Sequence, residues 1–185
     1  MERNILLAGA AVLVAVAGAA VVLGGNPATT SNGTVDRETG ATASGWKSVT
    51  LTDVRTGETF TIAGFDRPVL VESFAVWCPT CTRQQQELKQ LHEQVGDRIV
   101  SVSIDTDPNE DASKVRKHIH QNGFDWRYAV ASADFLRPFI DAFGRDVVNA
   151  PLAPMVLVCP NGTARQLPNG VKPADSLQQT VAQRC

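Results

Sequence analysis

The chain has 185 residues, of which 43% are hydrophobic and 19% charged. That is enough apolar material for one packed domain and too much for a disordered chain. Lys plus Arg is 17 and Asp plus Glu is 19, so the formal net charge is -2 and no basic field exists to attract nucleic acid. The 4 cysteines are too few for a disulfide-dense mini-scaffold and enough for one redox pair plus one structural bridge.

Residues 5–25 carry no charged or strongly polar side chain and are rich in Ala and Gly (Ala8-Gly9-Ala10-Ala11, Ala17-Gly18-Ala19-Ala20). At helical rise such a stretch spans about 30 Å, the thickness of a bilayer core. Residues 1–25 therefore read as a single transmembrane anchor or a signal segment. The length favours an uncleaved anchor, because the apolar region of a cleaved signal is only about 7–15 residues. Arg3 precedes the span and no Lys or Arg follows before Arg37, which predicts the amino end inside and the remainder on the extracytoplasmic side. Residues 26–45 are rich in Thr, Ser and Gly and read as a flexible linker with a root-mean-square reach of roughly 25 Å. Asn32-Gly33-Thr34 and Asn161-Gly162-Thr163 match the N-glycosylation acceptor pattern, and the second also has the composition of a tight turn.

The domain itself is expected over residues 46–185. Val49, Leu51, Phe60 and Ile62 alternate with polar residues around Arg55-Thr56-Gly57-Glu58, the pattern of an N-terminal β-hairpin. The apolar run 68–74 reads as a buried strand. Residues 80–95 read as a helix with Leu88, Leu91 and Val95 on one face, ended by Gly96. Further strands are expected at 98–104, 127–131, 155–159 and 163–167, with helices at 111–121, 134–143 and 173–184. Strands that alternate with helices and then close on a hairpin and a helix give an α/β domain, a mixed sheet flanked by helices.

Cys78-Pro79-Thr80-Cys81 follows the buried strand and opens a helix. Half a zinc site is a poor alternative: the other cysteines, Cys159 and Cys185, are far away in sequence, and His118 and His120 lie two apart on a helix and diverge. No metal and no cofactor are expected. A cysteine at a helix start sits among unpaired backbone N–H groups at the positive end of the dipole, which stabilises a thiolate. Cys78 would then attack a substrate disulfide, and Cys81, one turn into the helix, would resolve the mixed disulfide.

The segment Val69-Leu70-Val71-Glu72-Ser73-Phe74-Ala75-Val76-Trp77-Cys78-Pro79-Thr80-Cys81 resembles the active-site strand and turn of thioredoxin-fold proteins. The hairpin, the N-terminal apolar segment and the longer middle region resemble the extracytoplasmic TlpA/ResA-like thiol-disulfide oxidoreductases. The resemblance implies a thioredoxin-like fold and several roles. Glu72, six residues before Cys78, is the expected buried acid that takes the proton of Cys81; strand alternation puts it on the face of Leu70 and Phe74. Pro154 is the expected cis-proline facing the dithiol, with Pro151 the runner-up, and the backbone of Ala153 is expected to be free to pair with a substrate segment. Trp77, Pro79, Ala153 and Pro154 together form the expected substrate-binding surface. Gly170 is expected to supply a bend. Many relatives carry an acid three residues after the second Cys, and here Gln84, which cannot ionise, stands there.

In that fold Cys159 and Cys185 finish at the end of the domain away from the dithiol, where a structural disulfide between them would contribute roughly 3 kcal/mol. The expected activity is a membrane-tethered thiol-disulfide oxidoreductase that reduces disulfides of exported proteins. Its partners would be disulfide-containing exported proteins, a membrane electron donor or acceptor and the membrane itself, with no nucleic acid. A disulfide-forming oxidant on the same fold is one alternative. A copper-handling module is another, disfavoured by C-x-x-C spacing and by Met155 as the only methionine of the domain. Peroxide reduction would want a Thr where Ala75 stands.

Overall fold

The computed structural model describes residues 45–185. The expected anchor or signal, almost all of the linker and the Asn32 acceptor site lie outside the described residues. Among those residues no helix is long and apolar enough to cross a membrane.

The two short strands β1 (Leu51–Thr52) and β2 (Thr59–Phe60) pair antiparallel around Arg55–Glu58, as the alternation predicts, while Ile62 falls in a 3-10 turn. The main sheet is built from β3 (Val69–Phe74), β4 (Val100–Asp105), β5 (Arg127–Val130), β6 (Met155–Val158) and β7 (Ala164–Gln166), in the order β5-β4-β3-β6-β7. Strands β3, β4 and β5 are parallel, and β6 and β7 run antiparallel to their neighbours, so the sheet is mixed. The helices are α1 (Pro79–Val95), α2 (Ala112–Asn122), α3 (Ala133–Phe143) and α4 (Ala174–Arg184). Their ends follow local chemistry. The Asp111 carboxylate accepts the Ser113 and Lys114 N–H groups at the start of α2, and Gly123, at φ 64°, takes the left-handed conformation that ends it.

Strand β3 is central and all six of its residues are buried. Its alternation divides the core in two. Leu70 and Phe74 face a layer formed by α1, α2 and α4, with Leu88, Leu91, Val115, Ile119, Leu177 and Val181. Val69 and Val71 face the other side, where Phe135 and Phe139 of α3 pack with Val102, Ile104 and Val156. Trp46 is fully buried there, its ring 4.8 Å from Phe139 and 6.0 Å from Phe135. Burying a ring of that size contributes about 2–3 kcal/mol and docks the first described turn on α3. Glu72 is the polar exception on the α1 face of this strand, which makes it costly to place and chemically informative.

Candidate active site

The dithiol lies where β3 feeds α1. Cys78 is the N-cap of α1, with φ -86° and ψ 108°, and Pro79 occupies the first turn, where its missing N–H costs nothing. Cys78 and Cys81 form a disulfide with Cα atoms 5.3 Å apart. The Cys81 N–H donates to Cys78 Sγ at 3.1 Å, the contact expected of a sulfur at a helix N-terminus. Cys81 Sγ lies 3.1 Å from the carbonyl oxygen of Ala150, which belongs to the 3-10 turn Ala150–Leu152 packed on the start of α1. Both cysteines are almost fully covered, whereas the neighbouring Trp77 is 59% exposed.

The active-site turn is held by carboxylates that the sequence analysis did not single out. The Val76 N–H donates to Glu110 Oε2 at 2.7 Å, and the Trp77 indole N–H donates to Asp107 Oδ2 at 2.6 Å. Hydrogen bonds from Asn109 and Trp77 hold the Asp107 carboxyl below its ordinary range. Burial pushes the Asp105 carboxyl the other way, to about 7, helped by the acidic neighbours Glu110 and Asp107. Trp77, Ala75, Thr106–Asn109 and Val148–Pro151 line a groove of about 390 Å³ beside the dithiol.

Glu72 is fully buried on the expected face. Its Oε2 accepts the Ser103 hydroxyl at 2.7 Å and the Gln85 amide at 3.2 Å, and among the described residues Oε1 has no hydrogen-bond partner. Burial raises its carboxyl to about 7, against the two hydrogen bonds and the Lys172 charge, which pull it down. Lys172 is lowered by burial to about 8 while Glu72 pulls it up, so the two groups are electrostatically linked. Gln84, where an ionisable group is absent, is fully buried and clamps the backbone of Lys172: its Oε1 accepts the Lys172 N–H at 2.7 Å and its amide donates to the Lys172 carbonyl at 3.2 Å.

Two expectations are corrected. No cis peptide bond occurs among the described residues, so Pro154 is not a cis-proline. The chain reverses at Ala153 instead, which adopts φ 45° and ψ 54° after the Ala150–Leu152 turn. Nor is the Ala153 backbone free: its N–H donates to Ala150 O at 2.8 Å and its carbonyl accepts Lys172 Nζ at 2.7 Å. Ala153 and Pro154 are buried, and a buried backbone group must find a partner within the protein. Trp77 and Pro79 are the exposed members of the expected surface, and Pro151, the runner-up for the cis-proline, is exposed too. Gly170 does bend the chain, at φ 98°, and its carbonyl accepts Lys172 Nζ.

Cys159 and Cys185 form the second disulfide, with Cα atoms 5.2 Å apart, joining the end of β6 to the end of α4. Asn161-Gly162 makes the turn between β6 and β7, with Gly162 at φ 83° and the Asn161 side chain accepting the Thr163 N–H. Among the described residues no cluster of His, Cys, Asp and Glu could hold a metal ion.

Solved structures share this architecture. A secreted Mycobacterium tuberculosis disulfide oxidoreductase homologous to E. coli DsbE superposes with a TM-score of 0.57 at 19% identity, covering 75% of this chain and 97% of that one. A thiol:disulfide interchange protein of the thioredoxin family from Chlorobium tepidum gives 0.60 at 17%, covering 73% and 91%. The thioredoxin domain of a Bacteroides vulgatus thiol-disulfide oxidoreductase gives 0.58 at 18%, covering 72% and 92%. No curated protein matches by sequence. The Redoxin family matches residues 39–159, a span that contains the dithiol, Glu72 and the sheet through β6. The chain belongs to the Redoxin family and is an oxidoreductase with a thioredoxin-like fold and a Cys78–Cys81 pair at disulfide distance.

Proposed function

We propose that the protein is a TlpA/ResA-like extracytoplasmic thiol-disulfide oxidoreductase, tethered through residues 1–25, that reduces disulfides of exported proteins. The observation that carries this reading is a dithiol at a helix N-terminus with a fully buried carboxyl, Glu72, on the strand that leads into it.

The helix N-terminus and the Cys81 N–H stabilise a Cys78 thiolate. That thiolate attacks one sulfur of a substrate disulfide; the substrate S–S bond breaks and one substrate thiolate departs, taking a proton from solvent. Cys81 then loses its proton to Glu72, and its sulfur attacks Cys78 Sγ. The mixed disulfide breaks, the second substrate thiolate leaves and takes a proton from solvent, Glu72 releases its proton to solvent, and the protein holds the Cys78–Cys81 disulfide. Two electrons have passed to the substrate, and a membrane thiol donor restores them. Trp77 and Pro151 line the groove where a flexible substrate segment would lie, and Pro79 is exposed at the start of α1.

The test is trapping followed by potentiometry. Cys81→Ser should accumulate mixed disulfides with exported proteins, and Cys78→Ser should form none. Full multiple-turnover activity of Cys81→Ser would overturn the assignment of roles. A reduction potential near that of thioredoxin, about -270 mV, supports a reductant, whereas a value near about -120 mV makes the protein a disulfide donor.

A further inference from the structure

Gln85 lies four residues beyond Cys81, on the same face of α1 and one turn further in, and is fully buried. Its amide joins two ionisable groups. Gln85 Nε2 is 3.2 Å from Glu72 Oε2, and Gln85 Oε1 is 2.6 Å from His118 Nε2. His118, on α2, is 5% exposed, and its ring stacks on Phe74 at 5.7 Å and packs beside Phe124 at 5.7 Å. These apolar walls leave only the ring edges for polar contact.

The polarity of the chain can be worked out from its ends. The Asn122 amide nitrogen, a donor, stands 3.4 Å from His118 Nδ1 and donates to the His118 carbonyl at 2.8 Å. Nδ1 is then the acceptor nitrogen, and the imidazole hydrogen sits on Nε2. Nε2–H donates to Gln85 Oε1, which turns the Gln85 NH₂ toward Glu72. On the other side the Trp126 indole N–H donates to Ser103 Oγ at 2.9 Å, which turns the Ser103 hydroxyl hydrogen toward the same Oε2. Both donors converge on one oxygen of Glu72, and among the described residues Oε1 is left without one.

We propose that His118 and Gln85 are positioning residues for the dithiol: they fix an amide N–H on Glu72 Oε2 and so make Oε1 the oxygen that takes and returns the proton. The proposal rests on reading Glu72 as the proton acceptor of Cys81. Were Gln85 free to rotate, its carbonyl would meet Oε2, the ionised form would lose a charge-assisted hydrogen bond, and Glu72 would hold its proton to higher pH. Burial lowers the proton affinity of His118 below that of an ordinary histidine, with Glu110 the acidic neighbour acting against that. The other titratable groups around Glu72 are Lys172, from the segment before α4, and Tyr128, on β5. Among the described residues neither is hydrogen-bonded to Gln85 or His118, so their influence is common to the variants below.

The experiment measures the carboxyl of Glu72 directly in the full chain, by carbon NMR titration of labelled glutamate, with Glu72→Gln identifying the signal. His118→Phe should raise the Glu72 pKa by about one unit, roughly a tenfold higher proton affinity, and move the pH profile of mixed-disulfide resolution by the same amount. Nitrogen NMR of the unsubstituted chain keeps the test independent of whether that variant folds: His118 should be the neutral tautomer with its hydrogen on Nε2. A Glu72 pKa unchanged to within about 0.3 unit in folded His118→Phe, or a hydrogen on Nδ1, overturns the proposal. A moved Glu72 pKa with an unmoved resolution step sustains the positioning role and sinks the acceptor role of Glu72.

Discussion

Replacing Glu72 by Gln offers the sharpest test of the site's electrostatics. The carboxyl is fully buried and its pKa is raised from 4.5 to about 7, chiefly by burial. At about 1.4 kcal/mol per unit, ionising it in the folded protein costs about 3 kcal/mol more than in the unfolded chain. The folded pKa is the higher one, so the folded state binds the extra proton between about pH 4.5 and 7. The associated stability is fully present below about pH 4.5 and is lost as pH rises through 7. Gln carries no such dependence. Its carbonyl can accept from Ser103 and Gln85 as Oε2 does, while its NH₂ replaces Oε1 and finds no partner, a cost of about 1–3 kcal/mol at every pH. Glu72→Gln should therefore be less stable than the parent at about pH 4 and draw level with or overtake it at about pH 8.5. The stability difference between the two chains should swing by about 3 kcal/mol across that window. Denaturant unfolding of both oxidised proteins across the range measures it. Asp105 titrates in both chains alike and drops out of the difference, whereas Lys172, held up by the Glu72 charge, titrates lower in Glu72→Gln and adds to the swing. A difference constant to within about 0.5 kcal/mol would refute the burial argument, and with it the view of Glu72 as a group poised near neutrality.

Two further outcomes are expected elsewhere in the molecule. Replacing both Cys159 and Cys185 by Ser should lower unfolding stability by about 3 kcal/mol, because 26 residues separate the bridged positions; exchange at Cys78 in folded protein, read with a small disulfide substrate, should keep its rate. Gln84→Glu should keep the bond from the Lys172 N–H and lose the one to the Lys172 carbonyl, setting a carboxylate against that oxygen. A deficit of about 1–3 kcal/mol is expected at neutral pH, shrinking in acid as the new carboxyl gains a proton and can donate again; melting temperatures across pH report it.

The legible part of this protein was the part in which one residue or one short period carries the physics. Alternation along 69–74 placed Glu72 with Leu70 and Phe74, because a strand presents every second residue to one face. Cys78 and Cys81 at a strand-to-helix junction announced a redox pair, because the spacing is local and the helix start supplies the N–H groups. The distal Cys159–Cys185 bridge followed once the resemblance supplied the course of β6 and α4. The expected cis-proline did not follow: Pro154 was placed by spacing, but the chain turns through the backbone angles of Ala153, which depend on the packing of Ala150–Leu152 against α1.

The sequence by itself determined the order of strands and helices, the Cys78–Cys81 spacing and the near-neutral charge, since these rest on composition and on periods of two and 3.6 residues; the buried acid at Glu72 was implied by the resemblance, with strand alternation choosing its face. Only the tertiary structure decided what surrounds that acid. Lys172 lies 100 positions from Glu72, beyond a Gln84 clamp, and nothing in its neighbours marks it. Gln85 carried one signal, its place four residues after Cys81; His118, noted in the sequence only as a poor metal ligand, became informative when α2 packed against α1 and β3. Hydrogen bonds between elements distant in sequence have no period, so their partners emerge only when the sheet and helices are assembled around one core.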